Sequence, residues 1–402
     1  MNRRATDPQA DRRVGPRLGY IDGLRAVAVL LVMLFHARVH MPGVPLGHLF
    51  LEGTHGVDLF FVLSGFCLSV PTLQKLRDAG TTRFDLIAFA AKRFLRIFPP
   101  YAVAVVLFAA VGTYALHEGI SLPPGMRQHF ELSDVASELL FFDRMNEHIN
   151  QSFWSLALEF RWYFIFPVAL AIWAIRPRAL IALIFAAVFA SELTRATSID
   201  LGVMPAFLLG IVAAQIRVDD HPIAFFAPLL GIAGVVMALA LEHGYHFPVQ
   251  TNFGWHVVAF ALVVTAGRVR WLQRLFAQRG LIAIGTASYS IYLVHEPIIS
   301  ATVGTLGPKL GSTTAMLVAI ALGLAGGFFM WAIVERPLTD RRTVASFVTL
   351  SDGWIRRLFA ATGIPLHVDL GGGSRVATAD PGAASAQVNL IELQTASVRR
   401  SG

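Results

Sequence analysis

The chain has 402 residues, 55% of them hydrophobic and 15% charged, with a mean hydropathy of +0.60. Soluble domains carry about 25% charged residues, so these figures exclude an ordinary soluble fold and point to a polytopic membrane protein. The formal net charge is +7, yet the basic residues lie between apolar runs and form no single patch, which argues against a nucleic-acid partner.

A helix needs roughly 20 apolar residues to span a bilayer. Ten segments are predicted as spans: about 21–39, 56–73, 98–116, 152–175, 179–194, 200–216, 222–242, 252–267, 280–301 and 313–334, the fifth and sixth being short. An even count puts both termini on one side. With the N-terminus inside, 26 of the 33 Lys and Arg residues fall in cytoplasmic segments. Arg38, Arg127, Arg144, Arg195 and Lys309 fall outside, and Arg25 and Arg161 within spans. That asymmetry follows the positive-inside rule. The expected fold is an all-α, polytopic transmembrane helical bundle of about 10 spans with cytoplasmic N- and C-termini. Residues 1–19 form a basic cytoplasmic N-terminus, 20–342 the transmembrane domain, and 343–402 a cytoplasmic, mostly disordered tail, typified by "LGGGSRVATADPGAASAQ". The first apolar run lacks a clear small-x-small cleavage site, so no cleaved signal peptide is expected. The single cysteine, Cys67, excludes an internal disulfide and a CxxC metal site, and reads as a small packing residue; no metal is expected.

Ionisable groups inside a membrane are costly and face a cavity or a partner, so the polar residues of the spans carry the information. In "DGLRAVAVLLVMLFHAR" ten apolar residues separate Arg25 from His36. Eleven steps of 100° make three turns and 20°, which places both on one helix face about 16 Å apart. One stripe thus holds a cation and an imidazole at different depths. The second span begins "EGTHGVDLFFVLSGF", and Asp58 lies at a depth similar to His36 if the two spans are antiparallel neighbours. A carboxylate beside an imidazole sets its tautomer and raises its basicity, giving a candidate general base; a structural clamp between two helices is the competing reading.

Ahead of the third span, "AAKRFLRIFPPY" sets Lys92, Arg93 and Arg96 against the membrane. Arg93 and Arg96 share a face if helical, and paired arginines suit phosphates; a topology signal or a contact to anionic lipid is the alternative. The long outer loop, about 117–151, is mixed and acidic. In the fourth span, "SFWSLALEFRWYFIFP", Glu159 and Arg161 are two apart and point in different directions, so each needs a partner elsewhere. Glu159 either positions substrate, stabilises Arg25 or makes a structural ion pair. In the ninth span, "GTASYSIYLVHEPI", Ser288, Tyr292 and His295 share a face, with Tyr289 beside them and Glu296 toward the outer end. They are possible substrate-lining groups, or packing and interfacial residues. Gly323 and Gly327 form a GxxxG that reads as helix packing.

Six stretches in order over about 320 residues resemble the acyltransferase 3 family of integral-membrane O-acyltransferases: "YIDGLRAVAVLLVMLFHA", "GVDLFFVLSGF", "KRFLRIFPPY", "WSLALEFRWYFIFP", "GTASYSIYLVHEPI" and "VERP". The resemblance implies transfer of an acyl group, most often acetyl, from a cytoplasmic acyl-CoA to a hydroxyl of a cell-surface glycan or its lipid-linked precursor. The acyl-CoA is a co-substrate; no cofactor is permanently bound. It places functional importance on Arg25 and His36 and on the acidic Asp58 and Glu159, and associates Arg93 and Arg96 with the donor. The implied setting is the inner (plasma) membrane of a bacterium, with acyl-CoA, a glycan or small-molecule hydroxyl acceptor and membrane lipid as partners and no nucleic acid. Two alternatives stand beside it. One keeps the chemistry but acts on a small secondary metabolite such as a macrolide. The other is a proton-coupled transporter, against which stand the lack of repeat symmetry and of paired broken helices.

Overall fold

Backbone polar groups in a bilayer must be satisfied internally, and a helix does so within one segment. The computed structural model describes residues 18–44, 47–127, 129–142, 148–194, 199–242, 253–359 and 366–370, and each of the ten apolar runs carries helix there. In order the helices are α1 (Gly19–His40), α2 (Gly47–Leu51), α3 (Gly56–Ala79), α4 (Leu86–His117), α5 (Leu132–Leu139), α6 (Trp154–Ile175), α7 (Pro177–Thr194) and α8 (Ile199–Val218). There follow α9 (Ala227–Glu242), α10 (Phe253–Arg268), α11 (Arg270–Phe276), α12 (Arg279–Thr286), α13 (Ser288–Leu310), α14 (Ser312–Met330), α15 (Arg336–Leu338) and α16 (Arg341–Phe359). One antiparallel ribbon, β1 (Thr82–Asp85) with β2 (His367–Leu370), completes the described residues.

Seven helical stretches are long and apolar enough to cross a membrane, or eight if α10 and α11, bent by 105° to one another, make one span. Of the ten predicted spans the remaining two are helical but differ in kind. The first is the shorter apolar stretch Pro177–Ser191. The second is α13, whose polar residues Ser288, Ser290, His295 and Glu296 are buried. Hydropathy alone thus marked the segments but not which of them face lipid. Large apolar side chains such as Phe164, Phe185, Ile232 and Phe329 are exposed on the outside of the bundle, as lipid contact requires.

Helix α1 runs through the centre and touches α3, α12, α13 and α14. Its neighbours close in through glycines. A β-carbon on Gly327 would lie 2.4 Å from Ile291 Cγ1, and one on Gly323 2.9 Å from Met33 Cε, so the GxxxG of α14 serves close packing against α13 and α1. The acidic loop after α4 is anchored. Buried Glu138 accepts hydrogen bonds from the Tyr101 hydroxyl (2.9 Å) and the Ile149 amide (3.2 Å) and pairs with His148 Nδ1 (2.9 Å). A buried carboxylate without such donors would cost several kcal/mol (~2–7 for a polar group left unpaired).

Part of the tail expected to be disordered is ordered. Helix α16 packs on α4, with Phe347 stacked on Phe94 at 6.0 Å between ring centroids. Strand β2 pairs with β1, whose Asp85 caps α4 by accepting from the Ala88 amide at 2.9 Å. The glycine- and alanine-rich composition that pointed to disorder begins at Leu370 and lies almost wholly outside the described residues, as do residues 1–17.

Candidate active site

The predicted site residues gather on two levels along α1. At the Arg25 level lies a cavity of about 730 Å³. Arg25 enters it from α1, Arg93 and Arg96 from α4, Glu159 from α6, and Ser288, Tyr289 and Tyr292 from α13. Five of the six stretches quoted above line it, and the sixth reaches it through Glu335. Cys67, read from sequence as packing, also lines it.

The two carboxylates at the cavity, Glu159 and Glu335, are held by hydroxyl and guanidinium donors. Glu159 Oε1 accepts from the Ser64 hydroxyl and from the Tyr163 hydroxyl, both at 2.6 Å. The negative charge of Glu159 and Asp22 acts on Arg25, whose Nε has no hydrogen-bond partner. Arg96 Nη1 meets Glu335 Oε1 at 2.5 Å, and the Ser290 hydroxyl donates to Glu335 Oε2 at 2.6 Å. Glu335 arrives there at the end of a single π-turn, Trp331–Glu335, that extends α14; the wider turn advances the register and brings the carboxylate under the arginines. Arg93 Nε is without a hydrogen-bond partner. Two adjacent guanidiniums, one of them anchored, form a cationic wall. Arg161, the other charge in α6, is only half-buried and does not line the cavity.

The cavity ends at a bridge. The hydroxyls of Ser155 on α6 and Tyr292 on α13 are hydrogen-bonded at 2.6 Å, and the edge of Phe60 packs against the Tyr292 ring. Beyond the bridge is the His36 level. His36 Nδ1 lies 3.2 Å from Glu296 Oε1, and the ring of His36 meets that of His295 edge-on at 5.0 Å. The Ser152 hydroxyl donates to Glu296 Oε2. Gly125, from the loop after α4, closes over the carboxylate with a φ of +92°; a β-carbon there would fall 2.7 Å from Glu296 Oε1, so only glycine fits. His295 Nδ1 donates to the Tyr292 carbonyl at 2.8 Å. With its Nδ1 committed to Glu296, His36 presents Nε2 as its available base.

Asp58 does not meet His36. Its Oδ2 is 2.7 Å from His55 Nδ1 and its Oδ1 3.2 Å from His256 Nε2, with Trp255 stacked on His55. The reason is azimuth: Asp58 is at a suitable depth, but its face of α3 turns toward α10. The carboxylate that faces His36 is Glu296, which sequence reasoning placed at the outer end of its span without a role. Asp58 thus ties α3 to α10 directly through His256, and indirectly through His55, which stacks on Trp255. Asp58→Asn is expected to lower the melting temperature, by about 1–3 kcal/mol of stability for the buried hydrogen bonds weakened. Acyl transfer should then survive at low temperature. Thermal unfolding beside an activity assay checks this; a variant as stable as wild type yet inactive would return Asp58 to the chemistry.

Sequence reasoning also missed Glu335, although "VERP" was in view, and the serines Ser64, Ser152 and Ser155. The signal for Glu335 was a carboxylate at the end of an apolar run with two arginines to satisfy. The serines gave none, since a hydroxyl in a spanning helix commonly bonds to its own backbone.

A bundle of apolar helices that encloses an arginine-walled cavity and a histidine–carboxylate pair describes a multi-pass membrane protein with a buried polar interior. The chain belongs to the acyltransferase 3 family: residues 18–333 match its acyltransferase domain. It is 26% identical over 326 residues to the O-acetyltransferase OatA of Staphylococcus aureus strain NCTC 8325, covering 72% of this chain and 52% of that protein. The OatA of strain COL matches to the same extent. The chain thus spans about half the length of the curated relatives it matches. No solved structure matches it.

Proposed function

We propose that the protein is a membrane-embedded O-acyltransferase of a bacterial inner membrane. In this reading it moves an acyl group, acetyl in the first instance, from cytoplasmic acyl-CoA to a hydroxyl of a cell-surface glycan or its lipid-linked precursor. The observation that carries the reading is the arrangement along α1: a cationic cavity at Arg25 and a histidine–glutamate pair at His36, separated by one hydrogen-bonded bridge. In this reading the N-terminus lies inside, as the distribution of basic residues suggests, so that the Arg25 level is toward the cytoplasm and the His36 level toward the outside.

Arg93 and Arg96 hold the CoA phosphates, and the pantetheine arm enters the cavity beside Arg25. The thioester passes to the Ser155–Tyr292 bridge, whose hydroxyls rotate to donate to its carbonyl oxygen. His36 Nε2 takes the proton of the acceptor hydroxyl, and Glu296 stabilises the imidazolium that forms. The acceptor oxygen attacks the carbonyl carbon, a C–O bond forms, and negative charge gathers on the carbonyl oxygen. Tyr292 and Ser155, at the bridge, stabilise it; Arg25, about 16 Å from His36 along α1, draws the donor into the cavity. The C–S bond then breaks, and the thiolate takes the proton from His36 and leaves as CoA. Glu159, held by Ser64 and Tyr163, keeps Arg25 in the cavity.

The test is consumption of acetyl-CoA by the purified protein, paired with mass spectrometry of surface glycans from cells with and without the gene. His36-dependent release of CoA and the loss of an acetyl mass from a glycan on deletion are the expected results. An acetyl mass lost from a small metabolite would move the acceptor. No thioester turnover and no changed acyl mass would favour a carrier instead.

A further inference from the structure

His40 is the group at this level that the mechanism leaves unused. It lies one turn after His36 on α1, its side chain is only 8% exposed, and its Nε2 has no hydrogen-bond partner, standing 3.8 Å from Glu296 Oε1. A nearly buried imidazole nitrogen aimed at a carboxylate that another imidazole already shares calls for a ligand. One ligand atom from each of His36, His40 and Glu296 lies within 4.8 Å of the other two. They are three donors of the kind that bind zinc, two imidazoles and a carboxylate.

Two of the three edges are near what zinc needs. Tetrahedral zinc with bonds of about 2.0–2.2 Å holds its ligand atoms roughly 3.3–3.6 Å apart. His36 and Glu296 are already at 3.2 Å, His40 stands 3.8 Å from Glu296, and the two imidazoles, within 4.8 Å of one another, close by side-chain rotation. The i, i+4 spacing puts both imidazoles on one helix face. The second shell is present: the Ser152 hydroxyl orients the other Glu296 oxygen, as outer-shell donors orient metal ligands elsewhere. Three protein ligands leave a fourth position open.

We infer that His36, His40 and Glu296 form a binding site for a divalent transition-metal ion of the zinc class, and that occupancy of this site switches the enzyme off. The inference rests on the reading of His36 as the base. In the metal-free pair, the His36 proton is on Nδ1 and faces Glu296, so Nε2 has a free lone pair. A metal takes the Nδ1 lone pair, and the ring proton moves to Nε2. The nitrogen that must accept the hydroxyl proton is then already protonated. Glu296 is bound to the metal and no longer supports an imidazolium. The metal thus acts through the tautomer and needs no conformational change.

The experiment uses the purified full-length protein in nanodiscs, stripped with chelator. Bound zinc is counted by elemental analysis after Zn²⁺ addition, and Co²⁺ is added separately to read the visible absorption of a tetrahedral site. Acetyl-CoA turnover is titrated with Zn²⁺ and then restored with chelator. One equivalent of metal and reversible inhibition are expected for wild type. His40→Ala and His40→Gln should keep metal-free turnover and lose metal affinity by at least the roughly 10–100-fold that even outer-shell partners are worth, with the inhibition curve displaced equally. No bound zinc and no cobalt spectrum in wild type would overturn the site. Zinc inhibition unchanged in both His40 variants would overturn it as well. The metal count and cobalt spectrum need no turnover, so a protein that binds metal here but consumes no thioester would sink the proposed function and leave the site standing.

Discussion

His36→Ala is expected to lower acyl transfer by about two to four orders of magnitude, the usual contribution of a positioned general base. The donor KM should change little, because Arg93 and Arg96 lie in the cavity on the other side of the Ser155–Tyr292 bridge. Glu296→Gln keeps the shape of its side chain but removes the charge that stabilises an imidazolium at 3.2 Å. It is expected to cost most of what His36→Ala costs. The two residues act as one unit, so the double variant should be scarcely worse than His36→Ala alone; contacting residues show this failure of additivity. Turnover of acetyl-CoA in membranes, at saturating and limiting donor, measures all three. Independent, multiplying losses would mean that Glu296 does not work through His36.

The second large effect concerns the ion pair that anchors the arginine wall of the cavity. Arg96 is 24% exposed toward the cavity, whereas Glu335 is fully buried. The two partners therefore do not cost the same to remove. Arg96→Met strands a buried carboxylate with only the Ser290 hydroxyl for support, and breaking a buried pair in this way costs about 3–5 kcal/mol. Glu335→Gln leaves a cation that cavity water can solvate, so its penalty is smaller. The double variant Arg96→Met/Glu335→Gln removes the stranded charge and should regain much of the stability. It should not regain donor affinity, because the guanidinium is still absent. Thermal unfolding and donor KM, measured across the three variants, separate the structural contribution of the pair from its role in binding. If the double variant recovers the donor KM, Arg96 is not a phosphate contact.

The helical class and the residues worth examining were legible in the chain because a membrane makes polarity expensive. Every ionisable group inside an apolar run had to have a reason, and Arg25, His36 and Glu159 were singled out on that ground; Arg93 and Arg96 stood out as a basic pair ahead of the third span, suited to phosphates. Four of these five line one cavity, and His36 lies one bridge away. Depth was legible too, because 1.5 Å per residue turns sequence position into height along a span. Arg25 and His36 do occupy two levels of one helix.

Partner choice was not legible. Asp58 has the right height and the wrong azimuth: α3 turns it toward His55 and His256. Glu296 reaches His36 because α13 packs against α1. Glu335 reaches Arg96 only through a π-turn, which no hydrophobic period encodes. The sequence by itself determined the helical segments, the depth of each polar group and the family motifs, since these depend on local composition and on a fixed rise per residue. Only the tertiary structure decided which carboxylate faces which cation or imidazole, and that His40 joins them. Those pairings depend on how each helix is rotated about its axis and on which helix lies beside it, and both are set by packing between segments far apart in the chain.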